Sequence, residues 1–209
     1  MTESRVVTKQ LNKKYIRLSP EEPIWDRVFM VAPLIVVGTK EESNYDLAPK
    51  HMATLIGPSN YFAFICTPNH GTYQNIKKNK EFSVSFPIPD QVVLASLSAS
   101  PRCEEQYDKK PIVDELPTSK CKAIDALILN DSYLYFECSL TKIIDGFDAY
   151  SIVIGKILEA YVDSAYMKIS EKDEQKQIFE HPLLAYIAHG RFAKIRDTYN
   201  FPLPKGFKT

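Results

Sequence analysis

The sequence predicts a mainly β protein, a closed or sandwiched antiparallel barrel, and three observations lead there. About seven short runs carry the β-branched or alternating patterns of strands. Helical stretches are few and do not alternate with the strands, which argues against a doubly wound parallel sheet. The 14 prolines are twice as many as the 7 glycines, so elements are short and connections stiff.

The elements follow in order. Residues 1–23 read as an N-terminal arm, with a short strand at Tyr15–Leu18, and residues 24–209 as the domain. Ile24 to Val31 reads as a short helix that Pro33 ends, because proline disfavours helix at the residue before it. Leu34-Ile35-Val36-Val37 is a buried-strand candidate, Lys40 to Asn44 a turn, Leu47 to Ile56 a second strand and Tyr61 to Thr67 a third. Thr72 to Lys80 takes a helical pattern with Ile76 inside and Lys77, Lys78 and Lys80 outside. Phe82 to Phe86 alternates with period two and so reads as a half-buried strand. Asp90 is a candidate cap for a helix through Ala95. Residues 100–120 are polar and proline-punctuated, a long excursion from the core. Ser132 to Ile144 and Tyr150 to Val162 form a hairpin around Asp145-Gly146-Phe147-Asp148, with Gly155 marking a bulge or a close backbone approach. A charged helical stretch occupies 170–180, and Leu183 to Ile195 is a last strand or helix. Asn200 to Pro204 is extended.

Composition narrows the function. At 209 residues, 44% hydrophobic and 25% charged, the chain fits one globular domain. Net charge is zero, so no global field draws in nucleic acid or a membrane surface. The cluster Lys77, Lys78, Lys80 has Glu81 beside it and reads as a solvated helix face. The cysteines at 66, 103, 121 and 138 have no metal-ligand spacing, and disulfides are not expected. The N-terminus lacks a signal peptide's apolar stretch, and the longest apolar run is far short of the ~20 residues that span a bilayer. A cytoplasmic protein is expected.

There is no G-x-G-x-x-G, no P-loop, no H-E-x-x-H and no G-x-S-x-G. Two stretches carry chemistry instead. In Asn69 to Ile76 a strand gives way to a polar loop and then a helix, whose free N–H groups and dipole attract a phosphate or carboxylate. Thr72 and Asn75 share a face of its first turn. The plainer reading makes Thr72 an N-cap and Asn75 a solvated residue. In Asn44 to His51, a strand presenting Ala48 and Pro49 offers a flat surface for a planar ring, with Lys50 and His51 adding positive charge. The plainer reading is an ordinary strand start with a lysine in water.

Pro33 to Thr39, Asp46-Leu47-Ala48-Pro49, Thr72-x-x-Asn75-Ile76, Glu81 to Ser85, Tyr107-Asp108-Lys109, Phe136 to Leu140 and Ile154-Gly155-Lys156-Ile157 occur in that order. This ordered set resembles the flavin reductase-like (flavoredoxin) family of FMN-binding split barrels, over residues 24–162 and more loosely to about 204. The resemblance implies a split β-barrel of antiparallel Greek-key type with a few peripheral helices. It implies a homodimer with FMN near the subunit interface. Thr72, Asn75 and Lys109 then match phosphate-side positions, and Asp46, Leu47, Ala48, Pro49, Lys50 and His51 match the ring-side strand. The chain departs from the family in having His70-Gly71 where Lys-Asp is common, Asp46 where Asn is common, and Lys50-His51 where Phe-Ser often stands. His70 is then a candidate replacement for the phosphate-side lysine. Asp46 puts negative charge near the ring, which disfavours a reduced anionic flavin unless Lys50 or His51 offsets it.

Three functions follow from this resemblance. The first is an FMN-dependent oxidoreductase reduced by NADH or NADPH; hydride transfer to flavin needs no acid–base residue, which suits the absence of a catalytic motif. The second is a flavin-binding electron carrier that takes electrons from a protein partner without nicotinamide. The third is a barrel without flavin that serves in binding or assembly.

Overall fold

The computed structural model describes residues 15–103, 109–168, 173–187 and 190–206. The described chain enters through a 3-10 turn at Ile24–Arg27 and a short strand, β1 (Val31–Pro33). β2 (Ile35–Glu41) and β3 (Asn44–Lys50) pair across a tight turn in which Glu42 takes a left-handed φ of 47°. β4 (Ala53–Leu55) and β5 (Tyr61–Cys66) pair next. α1 (Gly71–Asn79) stops at Lys80, whose φ of 65° ends the helix, and β6 (Glu81–Phe86) follows. A 3-10 turn at Pro89–Gln91 leads into α2 (Val92–Leu97). α3 (Ile112–Glu115) precedes the paired strands β7 (Thr118–Lys120) and β8 (Leu127–Leu129). The long strands β9 (Leu134–Phe147) and β10 (Tyr150–Val162) form the expected hairpin. α4 (Glu174–Glu180) and a second hairpin, β11 (Leu183–Ile187) with β12 (Arg191–Ile195), complete the described chain.

Seven strands make one antiparallel sheet in the order β3-β2-β6-β9-β10-β5-β4. The sheet curls until β3 lies near β5, which gives the barrel its split form. The fold is therefore mainly β with few helices, as expected. Inside the curl, Ile35, Val37, Phe62, Phe64, Phe82 and Val153 form the main core. Phe64 and Phe82 meet edge to face with centroids 5.5 Å apart, the arrangement that the ring quadrupoles favour. On the outer face, Val36 and Leu47 pack with Ala95, Val113, Leu116 and Leu129 in a second cluster. β2 is thus apolar on both faces, which is why its sequence is a continuous apolar run and not an alternation.

Several expectations are corrected. Tyr15–Leu18 forms no strand, and Ile24–Val31 divides into a 3-10 turn and the start of β1. Leu47–Ile56 is two strands, because β3 ends at Lys50 and β4 starts at Ala53. β6 is not half-buried: Ser83 and Ser85 are fully buried, and Ser85 Oγ accepts the Leu129 N–H at 3.0 Å. β8 covers the face that alternation assigned to water. Asp90 caps nothing. It is exposed and pairs with Lys194 at 2.8 Å, while the Gln91 side chain accepts the Ile88 N–H and sets the start of the turn. The 100–120 excursion covers the outer core through Val113 and Leu116. Leu183–Ile195 is two strands. At Gly155 both expected features coincide. The β9–β10 register shifts between Ile154 and Gly155, and a Cβ there would strike the Phe82 ring. Tyr107, Asp108 and residues 1–14 lie outside the described residues. All four cysteines are free, and burial pushes the Cys121 and Cys138 thiols up to about 12 each, so neither is poised as a thiolate. No described helix is long and apolar enough to cross a membrane.

Candidate functional site

β3 turns Asp46, Ala48, Pro49 and Lys50 toward the N-terminal turn of α1, and residues 99–102 close the third side, leaving a cavity of about 380 Å³. Its floor is a knot of buried charge. Asp46, 2% exposed, accepts hydrogen bonds from Thr72 Oγ1 at 3.2 Å and Lys110 Nζ at 3.2 Å, and Arg102 Nη2 lies 3.3 Å from it. Lys110 Nζ also donates to the carbonyls of Leu47 at 2.7 Å and Ser98 at 2.6 Å. Arg102 Nη1 is ion-paired with Glu41. Two cations therefore face two carboxylates, and the cluster is electroneutral as a set. Burial pushes the Glu41 carboxyl above its ordinary value, and the Arg102 guanidinium pulls it back.

Above this floor stand groups suited to an anion. Lys50 lines the cavity and has no ion-pair partner among the described residues. The first N–H groups of α1 have no intrahelical acceptor, and the helix dipole points its positive end at the cavity. His70 occupies the N-cap with no side-chain capping bond. Desolvation, then the Lys50 charge, push its imidazole below the ordinary value, with Asp46 pulling the other way. The ring therefore contributes hydrogen bonding and little charge near neutrality.

The expected site residues divide. Asp46, Ala48, Pro49, Lys50, His70 and Thr72 surround this one cavity. Thr72 is buried and is not the N-cap that the plainer reading made it. Asn75 is also buried, not solvated; its Nδ2 donates to Thr39 Oγ1 at 3.1 Å and ties α1 to β2. The Leu47 side chain belongs to the outer core, and only its carbonyl reaches the knot. His51 faces a second cavity, of about 300 Å³, and stacks on Tyr186 with centroids 4.4 Å apart. That cavity has apolar walls, Leu34, Val92 and Ala95, with Tyr186 and Phe192 from the β11–β12 hairpin, and it meets the first at Pro49 and Ala99. Lys109 is exposed and lines neither; it borders a separate cavity beside Tyr45 and Asp114. Its neighbour Lys110 enters the site instead. Glu41, Arg102 and Lys110 did not figure in the sequence reading, and Gly71 figured only as a departure from the family's pattern. The adjacent pair Lys109-Lys110 was the only signal for one of them. No cluster of three or more metal-ligating side chains occurs among the described residues.

Comparison with known proteins places this architecture. Among solved structures, the chain is similar to a 2-nitrobenzoate 2-nitroreductase from Pseudomonas fluorescens, with a TM-score of 0.72 and 18% identity over 92% of this chain and 95% of that one. An FMN-binding protein from Thermus thermophilus gives a TM-score of 0.71 and 18% identity over 91% of this chain and 100% of that one. Flavoredoxin from Methanosarcina acetivorans gives 0.69 and 18%, over 92% and 97%. These likenesses concern the fold. No curated protein is matched by the sequence. The flavin reductase like domain, however, matches residues 27–191. That span takes in the curled sheet, the charged knot, the first cavity and all of the second but Phe192, and the chain belongs to the flavin reductase-like family.

Proposed function

We propose that the protein is a cytoplasmic FMN-binding oxidoreductase that takes electrons from NADH or NADPH and passes them to an acceptor. The observation that carries this reading is the junction of two unlike cavities at Pro49 and Ala99. FMN has the same division, with a charged phosphate and polar chain at one end and a flat, largely apolar ring at the other. Its phosphate suits the polar cavity, where Lys50, the Thr72 hydroxyl and the start of α1 converge. Its ring suits the apolar cavity, with the β3 backbone beside Ala48 and Pro49 as a flat support. Once bound, FMN would supply the redox chemistry by accepting hydride and passing electrons on.

The chain's own groups then have defined tasks. Lys50 supplies net positive charge. Tyr186 and Phe192 shield the apolar cavity from water. Asp46, a negative charge near the ring by its sequence position, is neutralised by Lys110 and Arg102 and does not oppose reduction as an isolated carboxylate would. The names of the Thermus and Methanosarcina relatives, an FMN-binding protein and a flavoredoxin, support the cofactor. The unpaired thiols suit a reducing compartment. Exposed aromatics such as Phe29, 82% exposed, and Phe201, 80% exposed, support a homodimer, since interfaces are enriched in them.

Absorbance of the purified protein, followed by anaerobic stopped-flow mixing with NADH and NADPH, tests the reading. Yellow protein that bleaches with either nucleotide is the expected result. Yellow protein that neither nucleotide bleaches points to an electron carrier fed by a protein partner. Colourless protein that takes up no added FMN sinks the proposal. Light scattering at micromolar concentration checks the dimer.

A further inference from the structure

We infer that Arg102 is the residue that reads the phosphate of the flavin, that Glu41 and Asp46 are positioning residues that aim it, and that Gly71 is the gap that admits it. The inference rests on the flavin reading above and assigns its phosphate specificity to an arginine outside both motif stretches.

Arg102 follows α2 in sequence, yet its guanidinium lies across the start of α1. A Cβ built on Gly71 would overlap Arg102 Nη2 and come within 2.9 Å of its Cζ. Gly71 does not have the left-handed φ that favours glycine, so space and not backbone conformation explains glycine here. Two carboxylates from different strands fix the fork. Glu41, the last residue of β2, takes Nη1, and Asp46, within β3, lies 3.3 Å from Nη2. Their side chains are 11% and 3% exposed, whereas that of Arg102 is 24% exposed and borders the cavity.

The chemistry favours arginine. A guanidinium carries five N–H donors in one plane, so a single side chain can serve several acceptors at once in a fixed geometry. A lysine ammonium has no such fork. Because Glu41 and Asp46 balance Arg102 and Lys110, Arg102 adds direction to the site and Lys50 adds net charge. A phosphate at the start of α1 would then meet helix N–H groups, the Thr72 hydroxyl and the Arg102 fork together. The unusual His70-Gly71 pair follows from this. A cation reaches the helix start from residue 102, and residue 71 carries no side chain that would displace it.

The test compares FMN with riboflavin, which has the ring and lacks the phosphate, by flavin fluorescence titration of wild type, Arg102→Gln, Arg102→Lys, Gly71→Ala and Glu41→Gln. Wild type is expected to favour FMN. Arg102→Gln should lower FMN affinity about tenfold to a hundredfold, the range for losing a hydrogen bond to a charged group, and leave riboflavin affinity within about twofold of wild type. Gly71→Ala should act in the same way, because its Cβ displaces the guanidinium while alanine favours the helix. Arg102→Lys should fail to rescue, and Glu41→Gln should give a smaller loss confined to FMN. Riboflavin binding serves as the check that each variant is folded. An FMN-to-riboflavin ratio unchanged in Arg102→Gln or Gly71→Ala overturns the assignment, as does an equal loss of both flavins. Wild type that binds both flavins equally overturns it and leaves the flavin reading standing. Wild type that binds neither removes both.

Discussion

Replacing Lys110 by methionine keeps the aliphatic stem and removes the ammonium. That ammonium belongs to a side chain 7% exposed and serves three acceptors: Asp46 at 3.2 Å, the Leu47 carbonyl at 2.7 Å and the Ser98 carbonyl at 2.6 Å. After the change, two buried carbonyls lose a donor and Asp46 Oδ1 loses its cation. Breaking a buried pair from one side costs about 3–5 kcal/mol. Arg102 and the Thr72 hydroxyl remain on Asp46 Oδ2, so the loss should fall near the lower end, at about 3 kcal/mol. With a urea slope of about 2 kcal/mol/M, the unfolding midpoint should fall by about 1.5 M. The measurement belongs on flavin-free protein, because a bound ligand adds its own stabilisation. A cycle with Asp46→Asn separates the pair from its surroundings. The double variant should lose less than the sum of the singles by about 1 kcal/mol or more. A midpoint shift for Lys110→Met below about 0.5 M, or strict additivity in the cycle, would refute the view that this knot anchors Ser98 and Lys110 to β3.

Three further outcomes are expected. Thr72→Ala removes a buried donor to Asp46 and should cost the flavin-free protein about 1–3 kcal/mol and FMN affinity about tenfold, with Thr72→Ser retaining both; urea unfolding and FMN titration check it, and a stability loss with unchanged affinity withdraws Thr72 from the phosphate site. Gly155→Ala forces a Cβ against the Phe82 ring and within 3.1 Å of the Ser139 carbonyl, an overpacking worth about 1–3 kcal/mol, so Tm should fall by at least about 2 °C, and an unchanged Tm contradicts the close approach. His70 has a folded-state pKa below 6.5, so as pH falls through 6.5 the unfolded chain takes up the proton first and the native state loses stability. The stability gap between wild type and His70→Gln should therefore be flat above that pH and shift against wild type below it; an NMR titration of the ring with a midpoint above 6.5 contradicts the sign.

What the sequence reveals depends on how far apart the partners lie. β10 runs from Tyr150 to Val162 as expected, because a hairpin pairs with its own neighbour and its signals are local; the turn itself is shorter than expected, since β9 continues through Asp145 to Phe147 and the chain reverses at Asp148 and Ala149. Phe82 to Phe86 shows the limit. Its period-two pattern is real, but Ser83 and Ser85 face backbone groups and not water, and a serine has the same appearance in either setting. The site divides in the same way. β3 and the start of α1 are contiguous stretches, so strand and helix-terminus arguments find them. The knot beneath joins Lys110 to Asp46 across 64 residues and Arg102 to Glu41 across 61, and no period or motif connects positions so distant. Lys109 and Lys110 are indistinguishable until the backbone decides which side chain turns inward. A bond from the Cys103 N–H to the Lys109 carbonyl at 2.9 Å precedes that turn. Asp46, Gly71, Arg102 and Lys110 are best understood together for the same reason. Read singly, Asp46 is an unwelcome carboxylate beside a flavin ring and Gly71 a missing side chain at the helix start. In the fold, Asp46 holds the two cations, and Gly71 leaves room for one of them, so each departure supplies what the other lacks.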